Sequence, residues 1–200
     1  MHRLRRLLGV TVAVATVTLA VACGTEQNAS DTTHAQENLR PPVSAVSHDP
    51  STPTGVEVGG AHAATDAVAT DAEGTLLPPT DIARLGWWVD SALPGSGTGT
   101  VVVAGHVDDA QQGTGFAARF AELSPGDTVT VDTTDGARHR YSVTRVVDAR
   151  KEGKGADAVP FDELNRMDGP ETLALVTCGG PFVGPPLGYR DNIVVFARPA

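Results

Sequence analysis

Residues Glu171–Gly180 read Glu-Thr-Leu-Ala-Leu-Val-Thr-Cys-Gly-Gly. From Thr172 to Thr177 apolar and β-branched side chains follow one another with almost no polar alternation, the pattern of a strand covered on both faces. Such a strand needs structure layered on either side, so the rest of the chain must fold around it. The diglycine after Cys178 predicts that the strand stops there. That sets the thiol at the end of a rigid element and beside a loop, where its direction is fixed and its sulfur stays approachable.

Two other segments end in the same way. Thr100–Asp109 is a second buried run, within which His106 follows the strand, and Gly188–Ala197 places Arg190 at the start of a last strand. Between them, Thr128–Asp132 and His139–Val147 alternate apolar and polar residues around Thr133–Ala137, the signature of a β-hairpin. Gly113–Leu123 changes period: Phe116, Phe120 and Leu123 recur at helical spacing, and Ser124-Pro-Gly-Asp ends the segment. Pro160–Met167 reads as one or two helical turns, and Thr80 or Asp81 is placed to cap another. Thr54–Val58 and Ala67–Ala69 suggest short strands. The polar, glycine-bearing stretches Asp148–Val159 and Gly179–Tyr189 read as loops, the second lining the region around Cys178 and Arg190. Aromatic residues make up only 4% of the chain, so the core must rest on Val, Leu and Ala. Trp87-Trp88 is core or, alternatively, the wall of a peptide groove. The patterning as a whole is mostly β.

Charge and cysteine usage narrow the function. A net charge of −9 with no basic cluster outside the N-terminus excludes nucleic acid as a partner. Arg3, Arg5 and Arg6 precede an uncharged run from Leu7 to Cys23, the order of a targeting segment with its N-terminus on the cytoplasmic side. Leu19-Ala-Val-Ala-Cys23-Gly is similar to a bacterial lipoprotein processing site, and an uncleaved signal anchor is the other reading. Either tethers residues 55–200 to the outer side of a membrane. Residues 24–54 are polar and Pro-bearing, and read as a flexible extracytoplasmic stalk. Of the two cysteines, Cys23 belongs to the leader, so the exported domain carries the single thiol of Cys178 and no internal disulfide. His34, His48 and His62 are scattered without ligand spacing and do not suggest a metal site.

Taken together, Thr172-Leu-Ala-Leu-Val-Thr-Cys178, Ala104-Gly-His106 and Tyr189-Arg190-Asp-Asn-Ile-Val-Val-Phe196 resemble the cysteine, histidine and arginine motifs of the sortases, in the family's order. Within that family of cysteine transpeptidases the likeness is to the class E/F group of actinobacteria. The resemblance implies a closed β-barrel of about eight strands with one or two short helices. It implies His106, Cys178 and Arg190 as catalytic residues, with Thr177, Trp87 and Trp88 as candidate substrate-binding residues. Cys178 would attack a Leu-Pro-x-Thr-Gly-type C-terminal sorting signal of a surface protein. An amine from a cell-wall precursor or a pilin would then accept the acyl group. His106 would act as imidazolium partner and as acid and base, and Arg190 would hold the oxyanion. No metal or organic cofactor is needed. An L,D-transpeptidase would place its cysteine in a Ser-x-Gly-Cys context, unlike Val176-Thr-Cys-Gly-Gly. A non-catalytic wall- or peptide-binding lipoprotein, in which Cys178 merely packs, is the reading from another class.

Overall fold

The computed structural model describes residues 39–200. The leader and the first part of the expected stalk lie outside the described residues.

Alternation along the strands decides which side chains meet. On β8 (Thr128–Thr133) Val129 and Val131 are fully buried, and on β9 (Arg138–Arg150) Tyr141 and Val143 join them, while their neighbours turn outward. The same rule runs through β2 (Pro53–Val58) and β3 (Ala61–Ala69), where Val56, Val58 and Ala63 face inward. β4 (Leu85–Trp88) contributes Leu85 and Trp87, and β5 (Thr100–Ala104) contributes Val101 and Val103. β10 (Thr172–Gly184) adds Leu173 and Leu175, and β11 (Gly188–Pro199) adds Val195 and Ala197. Eight strands thus share one apolar interior. Each large side chain fully withdrawn from water contributes on the order of 1.5–3 kcal/mol.

The strand order is β3-β2-β8-β9-β11-β10-β5-β4, and parallel pairing of β4 with β3, from Thr65↔Leu85 to Val68↔Trp88, closes the ring. This is the mostly β, closed eight-stranded barrel that the sequence led us to expect. The β10–β5 contact is also parallel, running from Thr172↔Thr100 to Val176↔Ala104. Its two strands are the most continuously apolar in the chain, as strands covered on both faces should be. The expected helix near Gly113–Leu123 is a 3₁₀ segment, Phe116–Glu122, whose Ala117 and Phe120 are fully buried in the barrel interior. The second expected helix is α1 (Phe161–Leu164). Asp81 caps a single turn, its side chain accepting the Ala83 N–H and its carbonyl the Arg84 N–H, within an irregular link between β3 and β4.

A second apolar layer lies outside the barrel. Val102, Ala174, Val194 and Phe196 project outward from β5, β10 and β11 and are covered by Val159, Leu164 and the partly buried Trp88. The Thr100 hydroxyl donates to the Glu163 carbonyl, tying α1 to the start of β5.

Three expectations change. Pairing begins upstream of the boundary expected at residue 55. β1 (Val43–Ser44) pairs with β3, and Thr134 and Asp135 donate their N–H groups to the Thr52 and Pro50 carbonyls. The diglycine does not end β10, which continues to Gly184 as a hairpin with β11. Gly180 adopts φ +69, and a Cβ there would lie 2.1 Å from Asp191 Oδ2, so only glycine lets the strand bend past that carboxylate. Gly179–Tyr189 is therefore mostly strand rather than loop. Lastly, β9 reaches Arg150, three residues beyond the expected end.

Candidate active site

The register brings the distant motifs together. The β10–β5 ladder ends at Val176↔Ala104, and Cys178 and His106 each stand two residues further on. The match is prolonged past the ladder: the Gly105 N–H donates to the Val176 carbonyl at 3.0 Å, and the Thr177 hydroxyl donates to the Gly105 carbonyl at 2.9 Å. Neighbouring strands lie about 4.8 Å apart and side chains alternate with a period of two residues, so Cys178 and His106 stand at equal offsets on adjoining strands and project from the same outer face. Gly105 is required by close packing. A Cβ there would stand 2.5 Å from Leu85 Cδ2 and 2.7 Å from Ala117 Cβ.

On the other side of β10, Cys178 pairs with Asn192, which in turn pairs with Ala149 of β9. Lys151 follows β9 on the same face. Its backbone N–H donates to the Arg190 carbonyl at 3.1 Å, and its Nζ reaches both Cys178 Sγ at 3.6 Å and the Leu187 carbonyl at 3.1 Å. Arg190 belongs to this face too, but its Nε and Nη2 form a fork on the buried Asp191 carboxylate, at 2.8 and 2.7 Å. That bond holds the Asp191 carboxyl below the usual carboxylate range and keeps the guanidinium charged. A guanidinium has five donors, so the Nη1 edge remains for a substrate oxygen.

Burial pushes the His106 imidazole below its ordinary pKa, against opposing effects from a hydrogen bond to the Pro78 backbone and from the Asp109 and Asp108 charges. Its Nε2 is buried and has no hydrogen-bond partner. The ring is therefore neutral at neutral pH, with Nε2 left to take or give a proton. The side chain in contact with the sulfur is Lys151.

A short hairpin, β6 (Asp108–Asp109) with β7 (Gly113–Thr114), follows His106. Asp109 caps it by accepting the Gln111 and Gln112 N–H groups, as a turn residue would. Asp108 instead accepts a hydrogen bond from the Tyr189 hydroxyl and so joins the histidine segment to the arginine segment. Burial first, then Asp108 and the nearby Cys178 charge, push the Tyr189 phenol well above its usual range. The Tyr189 ring also meets Phe182 edge-on, with centroids 5.3 Å apart.

Of the expected substrate-binding residues, Thr177 is buried and spends its hydroxyl on Gly105, which makes it a positioning residue. Trp87 is 2% exposed in the barrel interior, its Nε1 donating to the Ala92 carbonyl, and so it is no groove wall. Trp88, one residue on and therefore on the opposite face, lies in the outer layer. Lys151 and Asn192 were not anticipated. Lys151 gave no signal in a polar stretch, whereas Asn192 lay within the arginine motif itself. Among the described residues no group of three or more His, Cys, Asp or Glu is arranged to hold a metal ion, and no helix is long and apolar enough to cross a membrane.

A closed, mostly β barrel bearing a thiol and an imidazole on adjoining parallel strands defines a class of protein, and comparison with known proteins identifies it. The sortase domain model matches residues 58–200, and the chain belongs to the sortase family. Sortase A from Corynebacterium diphtheriae superposes with a TM-score of 0.53 at 20% identity, covering 74% of this chain and 60% of that one. The pilus-related sortase C of Group B Streptococcus gives 0.56 at 15% identity, covering 84% and 80%. Sortase C1 from Streptococcus suis gives 0.54 at 18%, covering 74% and 72%. The chain thus spans about 60% of the length of the first of these. No curated relative matches it in sequence.

Proposed function

We propose that this protein is a sortase-type cysteine transpeptidase of the class E/F-like actinobacterial group, with Cys178 as nucleophile, His106 as proton carrier and Arg190 as oxyanion donor. The observation that carries the reading is the equal offset of Cys178 and His106 beyond the Val176↔Ala104 pair. The group assignment rests on the wording of the three motifs.

With its ring neutral, His106 takes the thiol proton as sulfur attacks the scissile carbonyl. Arg190 meets the tetrahedral oxygen, and His106 returns its proton to the departing amine. A thioacyl-enzyme remains on Cys178, and an incoming amine, deprotonated by His106, releases it as a new amide. The donor is a surface protein with an LPxTG-like sorting signal, and the acceptor a cell-wall precursor or pilin amine. Trp88 is retained as a substrate-facing candidate because it lies on the outer layer, whereas Trp87 is withdrawn. Residues 1–23 tether the enzyme outside the membrane, and the polar segment from residue 24 spaces it from that surface.

The test is intact-mass measurement after incubation with a Leu-Pro-x-Thr-Gly peptide. An acyl adduct on Cys178, absent from Cys178→Ala, is expected. A wild-type protein that neither accumulates the adduct nor passes the acyl group to an added amine would refute the assignment.

A further inference from the structure

Lys151 is one of only two lysines in the chain, the other being the exposed Lys154. Its amine is held rather than free to sweep: its backbone is bonded to Arg190, its Nζ to the Leu187 carbonyl, and the turn behind it is closed by the Gly153 N–H on the Arg150 carbonyl. The same Nζ stands 3.6 Å from Cys178 Sγ. A carbonyl carbon esterified to that sulfur sits one bond away from it, which brings the roughly 3–3.5 Å separation from which attack proceeds within the amine's reach.

We infer that Lys151 is an internal acyl acceptor, and that the protein modifies itself there by sulfur-to-nitrogen transfer. The inference rests on the proposed acyl-enzyme at Cys178. The neutral Lys151 amine attacks the thioester carbon, a C–N bond forms, the C–S bond breaks, and the amine proton passes to the thiolate. The products are an amide on Lys151 and a free Cys178 thiol, with no oxidant or cofactor consumed. An amide is more stable than a thioester, so the transfer runs one way. It competes with an external amine, and it prevails when none is present. An acylated Lys151 loses its charge and fills the space beside the sulfur, so self-modification slows later turnovers.

The full chain is treated with a small aryl thioester, which loads Cys178 by thiol exchange without any peptide recognition, then washed with hydroxylamine and mapped by mass spectrometry. A hydroxylamine-stable acyl group is expected on Lys151, on the order of tenfold or more above that on Lys154 and above that on Lys151 of Cys178→Ala. Lys151→Arg should keep its label on Cys178, labile to hydroxylamine. Wild-type label that stays wholly labile, or Lys151 label equal in Cys178→Ala, would overturn the inference. A parallel incubation with the sorting-signal peptide separates the two readings. If the peptide fails to load Cys178 while the thioester still labels Lys151, the substrate assignment falls and the internal transfer stands.

Discussion

The two halves of β10 are built differently. From Leu173 to Cys178 the strand is held without interruption by β11, and by the β5 ladder until the last two residues, with Leu173 and Leu175 fully withdrawn from solvent. From Gly179 to Gly184 it has β11 alone, its register shifts on either side of Phe182, and Gly180 takes a left-handed conformation. The sulfur sits where one half gives way to the other. The first half aims it, and the second leaves space beside it for Lys151 to approach. A nucleophile deeper in the ladder would be aimed but closed off, and one further out would be open but unaimed.

Substitutions can break this contrast or sharpen it. The largest effect is expected at the end of the ordered half: His106→Ala should lower the acylation rate about 10²–10⁴-fold with an intact barrel, read by single-turnover kinetics beside circular dichroism. Within that half, Leu175→Ala opens a cavity in the core and should cost about 2–5 kcal/mol in denaturant unfolding, with acylation per folded molecule largely kept. In the irregular half, Gly180→Ala drives a Cβ into the Asp191 carboxylate, straining the backbone by about 1–3 kcal/mol and displacing the Arg190 fork. Acylation should slow while the melting temperature falls less than in Leu175→Ala; equal losses of stability would erase the distinction. The smallest effect concerns pH. Because burial lowers the His106 pKa in the folded state, the unfolded chain binds a proton that the fold resists. Stability is therefore unaffected above about 6.5, the ordinary histidine value, and declines as pH drops below it. His106→Gln should flatten that part of the acid limb in urea titrations, and an unchanged limb would mean the ring is not desolvated.

The apolar runs now seen as β5 and β10, the β8–β9 hairpin and the last strand were readable because burial on a strand writes itself into consecutive residues. What escaped depended on contacts between segments. Gly179-Gly180 reads as a terminator, yet a partner strand and a backbone free of Cβ carry the ladder through it. Trp87 and Trp88 look equivalent, and the pleat sends one inward and the other out. Val43–Ser44 has no strand signal of its own and pairs only because the end of β3 is there to receive it. Lys151 is a charged residue in a polar stretch, and its place beside Cys178 arises from the register of β9 on β11 and of β11 on β10. Cys178 and His106, by contrast, were singled out from the motifs, and the parallel register sets them at equal offsets on adjoining strands.

The Thr177 hydroxyl and the Gly105 carbonyl that it holds are 72 residues apart along the polypeptide. Contacts of such separation form late, since the loop they close must first surrender its freedom. A nascent or partly unravelled chain accordingly holds Cys178 without the β5 strand that carries His106 beside it. The equal offset of Cys178 and His106 therefore arrives only when β10 joins β5, among the last steps by which the barrel closes.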